Sequence, residues 1–101
     1  LMFDDMISTA GSICGAARLV HEAGAREIHV AATHAILCGN AIENLMNAPI
    51  TSLVVTDSIP LKAGQLASKL KILSVAPLLA EAIKRIHHDQ SISELFGPEI
   101  D

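Results

Sequence analysis

Short runs of β-rich residues alternate with stretches of helical periodicity along the whole chain. Leu1-Met2-Phe3 reads as the last residues of a strand cut short by the chain start, because a strand is usually about 5 to 6 residues long. From Gly11 or Ser12 onward, Ile13, Ala16, Ala17, Val20 and Ala23 recur at helical spacing, and Gly24 supplies the left-handed stop expected just past a helix end. Ile28 to Ala32 predicts a buried strand. Ala41, Ile42, Leu45 and Met46 mark a short helix that stops before Pro49, and Leu53-Val54-Val55 is the next strand. Asp57 to Ser68, with Pro60 and Gly64 among polar residues, reads as a loop. Ile72 to Val75 returns as a strand, and Pro77 can open a helix at its first turn, where a missing N–H costs nothing. Val75, Leu78, Leu79, Ala82, Ile83 and Ile86 form one apolar stripe, with Glu81, Lys84 and Arg85 off it, so this helix is expected to lie on the sheet. Ser91 to Phe96 suggests one last short turn.

Strands alternating with helices imply right-handed crossovers and an α/β fold, a parallel sheet with flanking helices. Ligands of such sheets sit at the carboxyl ends of the strands. The loop after the first strand, Asp4 to Ser12, is therefore the first place to look for a site.

Composition narrows the picture. The 101 residues fit a single domain, which buries somewhat under ~70% of its unfolded surface. Half of them are hydrophobic but only two are Phe, with no Trp or Tyr, so the core must be aliphatic. A net charge of -4 with dispersed basic residues argues against nucleic acid and polybasic membrane partners. No apolar run approaches the ~20 residues of a bilayer span, and Leu1-Met2-Phe3 is too short for a signal peptide, which reads as cytoplasmic. Cys14 and Cys38, the only cysteines, have no Cys-x-x-Cys spacing and are expected to be reduced, buried thiols.

Asp4-Asp5 followed by Ser8-Thr9-Ala10-Gly11-Ser12 and a helix combines two chemical devices. Small residues and hydroxyls at a helix N-terminus let backbone N–H groups approach an anion that the macrodipole favours, and a phosphate suits that place. Ionised aspartates only accept hydrogen bonds, so they suit the vicinal hydroxyls of a sugar and would repel the phosphate. Plain helix capping by the same residues is the competing account.

The string Asp4-Asp5-Met6-Ile7-Ser8-Thr9-Ala10-Gly11-Ser12 resembles the ribose-5-phosphate loop of ribose-phosphate pyrophosphokinases. Four further segments resemble the family in its order: Ala31-Ala32-Thr33-His34 with Leu37-Cys38-Gly39, Val54 to Pro60, Ser74 to Ile83, and Ser91 to Phe96. The resemblance implies a type I phosphoribosyltransferase-like fold and the carboxyl-terminal part of such an enzyme, residues 1–101 forming a single domain truncated at its start. It implies transfer of the diphosphoryl group of ATP to ribose 5-phosphate with magnesium as cofactor. Asp4 and Asp5 would hold the ribose hydroxyls, and Ser8, Thr9, Ala10, Gly11 and Ser12 would enclose the 5-phosphate. Ser8 stands where the family usually has a third Asp, which removes a charge near the sugar, and Ser12 replaces a Thr but keeps the hydroxyl. The family's catalytic Lys/Arg loop, ATP pocket and metal ligands lie before the acidic pair, so this chain is expected to hold no catalytic residue and no metal, and to be inactive alone. Homo-oligomers, hexamers built from dimers, are also implied. A non-catalytic regulatory paralogue is the alternative that Ser8 motivates. A base phosphoribosyltransferase shares the acidic pair and loop but not the later segments.

Other residues have weaker cases. His34 and Cys38 fall four apart and could share a helical face as metal ligands, but no partners converge on them. The family reading instead puts Thr33 and His34 on the loop after a strand. His87 and His88 end the long helix, where the dipole attracts imidazolium. Ser91, Ser93 and Phe96 resemble part of the family's allosteric anion and nucleotide site between subunits; an anchored chain end explains them equally well.

Overall fold

The computed structural model describes residues 1–61 and 64–97. Four strands, β1 (Met2–Ile7), β2 (His29–Ala35), β3 (Ser52–Thr56) and β4 (Leu70–Leu73), pair in parallel in the order β1-β2-β3-β4. Between them lie α1 (Gly11–Glu22), α2 (Ala41–Asn47) and a short 3-10 helix over Gly64–Ser68; α3 (Ala76–His87) and a last 3-10 turn over Ser93–Phe96 follow. The α/β class with a parallel sheet and flanking helices is as the periodicities predict.

Each strand is added on the same side of the one before it, so crossovers of one hand must all pass over the same face. The core lies on that face. Val30 and Ala32 of β2 and Leu53 and Val55 of β3 point into it, against Ile13, Cys14 and Ala17 of α1, Ala41 and Leu45 of α2, and Leu66 of the 3-10 helix. Ala at positions 17, 32 and 41 lets the helices approach the sheet without large side chains between them. On the opposite face, Phe3, Ala31 and Val54 fall in one register row, and Phe3 is 74% exposed.

The strand bounds differ from the periodicity in an instructive way. The acidic pair belongs to β1, which runs on to Ile7, so the loop starts at Ser8 rather than Asp4. β2 likewise continues through Thr33 and His34, which are strand residues and not part of the following loop. Both extensions carry exposed or half-exposed polar side chains, although each strand ends on a buried residue, Ile7 and Ala35. β4 begins two residues earlier than the Ile72 start predicted, at Leu70.

The largest correction concerns α3. Pro77 opens it as predicted, but the helix does not lie on the sheet: none of its residues is buried, and Leu79, Ile83 and Ile86 are 56%, 68% and 60% exposed. The molecule is correspondingly extended, with a radius of gyration of 16.2 Å against about 13 Å for a compact chain of this length. α3 is held mainly at its ends. The Asp57 carboxylate accepts the Val75 amide at 2.8 Å, joining the end of β3 to the start of the helix. Arg85 bridges Glu81 and Glu94 and donates to the Ser91 carbonyl, folding the last turn back on the helix.

Lys69 closes the core from the other end. Its ammonium donates to the carbonyls of Leu45, Met46 and Ala48, each at 3.2 Å, so it gathers the carbonyls at the C-terminal end of α2 while its own carbonyl accepts from Leu53. Lys69→Met keeps the stem and removes the donors; it should lower the unfolding free energy by about 1–2 kcal/mol in urea titration, and an unchanged midpoint would refute the role.

The exposed stripe gives a second expectation. Leu79→Ser and Ile83→Ser should each change the stability of this chain by less than about 0.5 kcal/mol. A loss on the scale of a core deletion, about 2–5 kcal/mol, would mean that α3 packs on the sheet in solution.

Asp57 gives a third. The Val75 amide, and after it the Ser74 hydroxyl, holds its carboxyl below the usual carboxylate range. A folded pKa lower than the unfolded one stabilises above the unfolded value, about 4, and that contribution is lost as pH falls through the folded value. Asp57→Asn should therefore lower the melting temperature at neutral pH, with the gap to the parent closing on acidification below pH ~4; a gap independent of pH would contradict the assignment.

Candidate functional site

Ser8, Thr9 and Ala10 join β1 to α1 at the carboxyl end of an edge strand. Ala10 occupies the position before α1 with φ 69°, a left-handed conformation that costs a non-glycine residue about 1 kcal/mol or more. No side chain caps this helix. The nearest approach is a long contact of 3.5 Å between the Gly11 amide and the Thr9 hydroxyl. Plain capping, the competing account of these residues, is therefore not what they do here.

The carbonyls of the loop are all engaged. Ile7 O accepts from Ile36 N and Leu37 N at 3.0 and 3.1 Å, Ser8 O from Cys38 N at 3.0 Å, Thr9 O from Asn44 Nδ2 at 3.0 Å, and Ala10 O from Cys14 N at 3.0 Å. In a trans peptide the carbonyl and the following N–H point in opposite directions, and no peptide bond here is cis. Pinning the carbonyls of residues 7, 8 and 9 thus turns the amides of Ser8, Thr9 and Ala10 the other way. Among the described residues no acceptor meets these three amides, nor those of Ser12 and Ile13. On that side lies a cavity of about 120 Å³ lined by Asp4 and by residues 6–13, with more polar than apolar surface. Five outward amides and a 12-residue helix whose positive end faces the cavity make an environment for an anion.

The structure thus brings Asp4, Ser8, Thr9, Ala10, Gly11 and Ser12 around one cavity. Asp5 stands beside it and does not line it. The two carboxylates accept consecutive amides along the strand, Asp4 Oδ1 from Asp5 N and Asp5 Oδ1 from Met6 N, both at 2.8 Å. The neighbouring Asp4 side chain, and then the Met6 amide, holds the Asp5 carboxyl below the usual carboxylate range.

A polar network spans the neighbouring strand ends. Thr56 and Ser58 hydroxyls both donate to the Thr33 carbonyl, at 2.6 and 3.2 Å. With its proton spent there, Ser58 Oγ accepts from His34 Nδ1 at 2.7 Å. His34 and Cys38 do not share a helical face, since one lies in β2 and the other in the following loop. Among the described residues no three His, Cys, Asp or Glu converge on a metal position. Cys14 is buried, and burial pushes its thiol up; Cys38 is exposed, against the expectation that both thiols are covered.

Two further clusters lie away from this site. Ser52 Oγ, His29 and Glu27 line up with contacts of 2.6 and 3.3 Å at the amino ends of β2 and β3. The line resembles a nucleophile-base arrangement, but the Thr51, Ser52 and Leu53 amides that would serve as an oxyanion hole are bonded to Ile28 and Lys69 carbonyls. Ser91 and Ser93 hydroxyls meet at 2.8 Å and Phe96 is exposed. Arg85, the cation beside them, already serves Glu81 and Glu94.

What the sequence did not reveal is the second layer. Ile36, Leu37, Cys38 and Asn44, which aim the loop, lie some thirty residues beyond it. Parallel pairing of β1 with β2 brings the two carboxyl ends together. The one local trace is Gly39, at φ 57°, where an added Cβ would come within 3.9 Å of the Thr9 methyl.

Known proteins place the chain. The family model described as phosphoribosyl synthetase-associated domain matches residues 1–97. A ribose-phosphate pyrophosphokinase of Rhodopirellula baltica is 76% identical over 96 residues, covering 95% of this chain and 30% of that protein. One from Clostridium acetobutylicum is 44% identical over 99 residues, covering 98% and 31%. The crystal structure of phosphoribosylpyrophosphate synthetase from Mycobacterium smegmatis superposes with a TM-score of 0.82 at 36% identity, over 87% of this chain and 30% of that one. The chain therefore spans about 30% of the length of the relatives it matches. The carboxyl-terminal placement that the resemblance implied is not upheld by these matches, and it is corrected to the coarser statement that they carry, a segment of that share. With nearly every residue inside the match and the sheet superposing on a solved relative, the chain belongs to the phosphoribosyl synthetase-associated domain family.

Proposed function

We propose that this chain supplies the ribose-5-phosphate loop of a ribose-phosphate pyrophosphokinase, the enzyme that passes the diphosphoryl group of ATP to the anomeric hydroxyl of ribose 5-phosphate. The observation that carries this reading is the uncapped start of α1, where the amides of Ser8, Thr9, Ala10, Ser12 and Ile13 face a polar cavity with Asp4 at its rim. The phosphate end of the sugar enters the amide cradle, where small side chains permit close approach. Asp4 and Asp5 lie along the strand leading away from it and accept from the hydroxyls of the ribose. Ser8 takes the place of a negative charge and adds a hydroxyl to the cradle.

The chain alone does not perform the transfer. Phosphoryl transfer depends on positioning and on cations that neutralise the charge developing in the transition state. Among the residues lining the cavity there is no Lys or Arg. Magnesium, which travels with ATP, would be held by residues outside this chain.

Titration of the 101-residue chain with ribose 5-phosphate, followed by amide resonances, should move the signals of residues 8–13 at millimolar ligand or below. Asp4→Asn should weaken ribose 5-phosphate several-fold and leave inorganic phosphate unchanged, because it alters the sugar end only. An absence of any shift in these amides at millimolar ligand would sink the proposal.

A further inference from the structure

The loop that would receive the phosphate does not hold its own shape. Ala10 is in a left-handed conformation that alanine avoids, Gly11 is the next residue, and no side chain of the loop bonds firmly to its backbone. Four donors from the segment after β2 hold it instead. Three are backbone amides, of Ile36, Leu37 and Cys38, and they act on the carbonyls of Ile7 and Ser8. The fourth is a side chain, the carboxamide of Asn44 on the Thr9 carbonyl at 3.0 Å. Thr9 O belongs to the peptide whose N–H is that of Ala10, the strained residue at the mouth of the helix. Asn44 itself is fixed in α2, where its own amide donates to Asn40 O at 2.9 Å, and it is half-buried on the side of the loop away from the cavity.

We infer that Asn44 is a positioning residue for the anion cradle: by donating to the Thr9 carbonyl from behind, it aims the Ala10 amide at the phosphate and holds Ala10 in its strained conformation. This rests on the reading of the loop as a phosphate cradle. Without the donor, the Thr9–Ala10 peptide is free to rotate, relieving the strain at Ala10 and swinging its carbonyl toward the cavity. An oxygen there would repel an anion. The geometry also says which end of the substrate is affected. Asn44 acts on the phosphate cradle and makes no hydrogen bond to Asp4 or Asp5, so it influences phosphate and sugar phosphate alike.

The test compares the parent chain with Asn44→Ala, Asn44→Asp and Asp4→Asn, each titrated with ribose 5-phosphate and with inorganic phosphate while amide signals are followed. Asn44→Asp has the shape of the parent side chain but no donor, and it brings a negative charge behind the cradle. Asn44→Ala should bind the two ligands about three- to tenfold more weakly, the range one hydrogen bond carries, by the same factor for each ligand, and Asn44→Asp, with its added charge, more weakly still. The Ala10 amide should shift in the ligand-free Asn44 variants, whereas Asp4→Asn should weaken the sugar phosphate alone. A merely structural role would lower the melting temperature without this equal loss and without the change at Ala10. If Asn44→Ala fails to fold, the isosteric Asn44→Asp decides. Parent-like affinity for phosphate in Asn44→Asp overturns the inference while leaving the cradle in place. Failure of the parent chain to respond to ribose 5-phosphate overturns the cradle, and the inference with it.

Discussion

The crossover rule governs this molecule more than any single contact. A strand followed by a helix and a parallel strand turns in one hand because a twisted strand and a right-handed helix pack together only that way. When each new strand is laid on the same side of the last, as in the order β1-β2-β3-β4, every connection must pass over one face. The aliphatic core on that face is the direct result, and it is well sealed: Leu45, Leu53, Leu66, Val30, Val55 and Cys14 are almost wholly buried. The connections between these strands leave the other face uncovered among the described residues. Phe3 stays exposed there, and α3, which follows the last strand, carries an apolar stripe with no sheet beneath it. Parallel sheets are ordinarily covered on both faces.

The same parallel arrangement builds the site. Because all strands point one way, their carboxyl ends form a single rim, and loops far apart in sequence become neighbours along it. The loop after β1 and the loop after β2 divide the work. The first presents amides to solvent, and the second accepts none of that burden but supplies the donors that turn the first one's carbonyls away. Backbone donors do most of the aiming, which makes it tolerant of sequence change; the side chain of Asn44 is the exception. A third link, from His34 through Ser58 to the Thr33 carbonyl, ties β2 to the β3 loop and extends the rim by one more strand.

How far this could be read from the sequence follows from where each signal is stored. Helix α1 was legible because Ile13, Ala16 and Ala17 repeat at its period and Gly24 ends it at φ 110°. Strands β2 and β3 were legible in their buried parts only. Thr33 and His34 look like loop residues because they are polar and not buried, although the strand continues to pair through them and ends on the buried Ala35. The stripe on α3 was also legible, but periodicity says only that a face is apolar and not what covers it. Asn44 carries no local signal at all. A polar residue inside a short helix reads as a solvated position, and only the pairing of β1 with β2 places it behind Thr9. The cavity residues Asp4 and Ser8 to Ser12 were accessible to sequence reasoning because the loop is contiguous, whereas the layer that shapes them is not.

The electrostatics of the loop explain why a grip of this kind can stand apart from the reacting centre. Backbone amides and a helix dipole carry partial charges that are fixed in direction and do not follow a moving charge. They suit a group whose charge is constant during a reaction, as the 5-phosphate of a ribose phosphate is in the proposed transfer. Binding energy gathered at such a remote group is useful because it orients the part of the substrate that reacts. Orientation in turn demands that the cradle be rigid before the ligand arrives, since a loop that must be ordered on binding spends that energy on itself. A strained Ala10 whose preceding carbonyl is held by Asn44 of α2 meets that demand: the strain is balanced within the fold, so the ligand does not have to impose it.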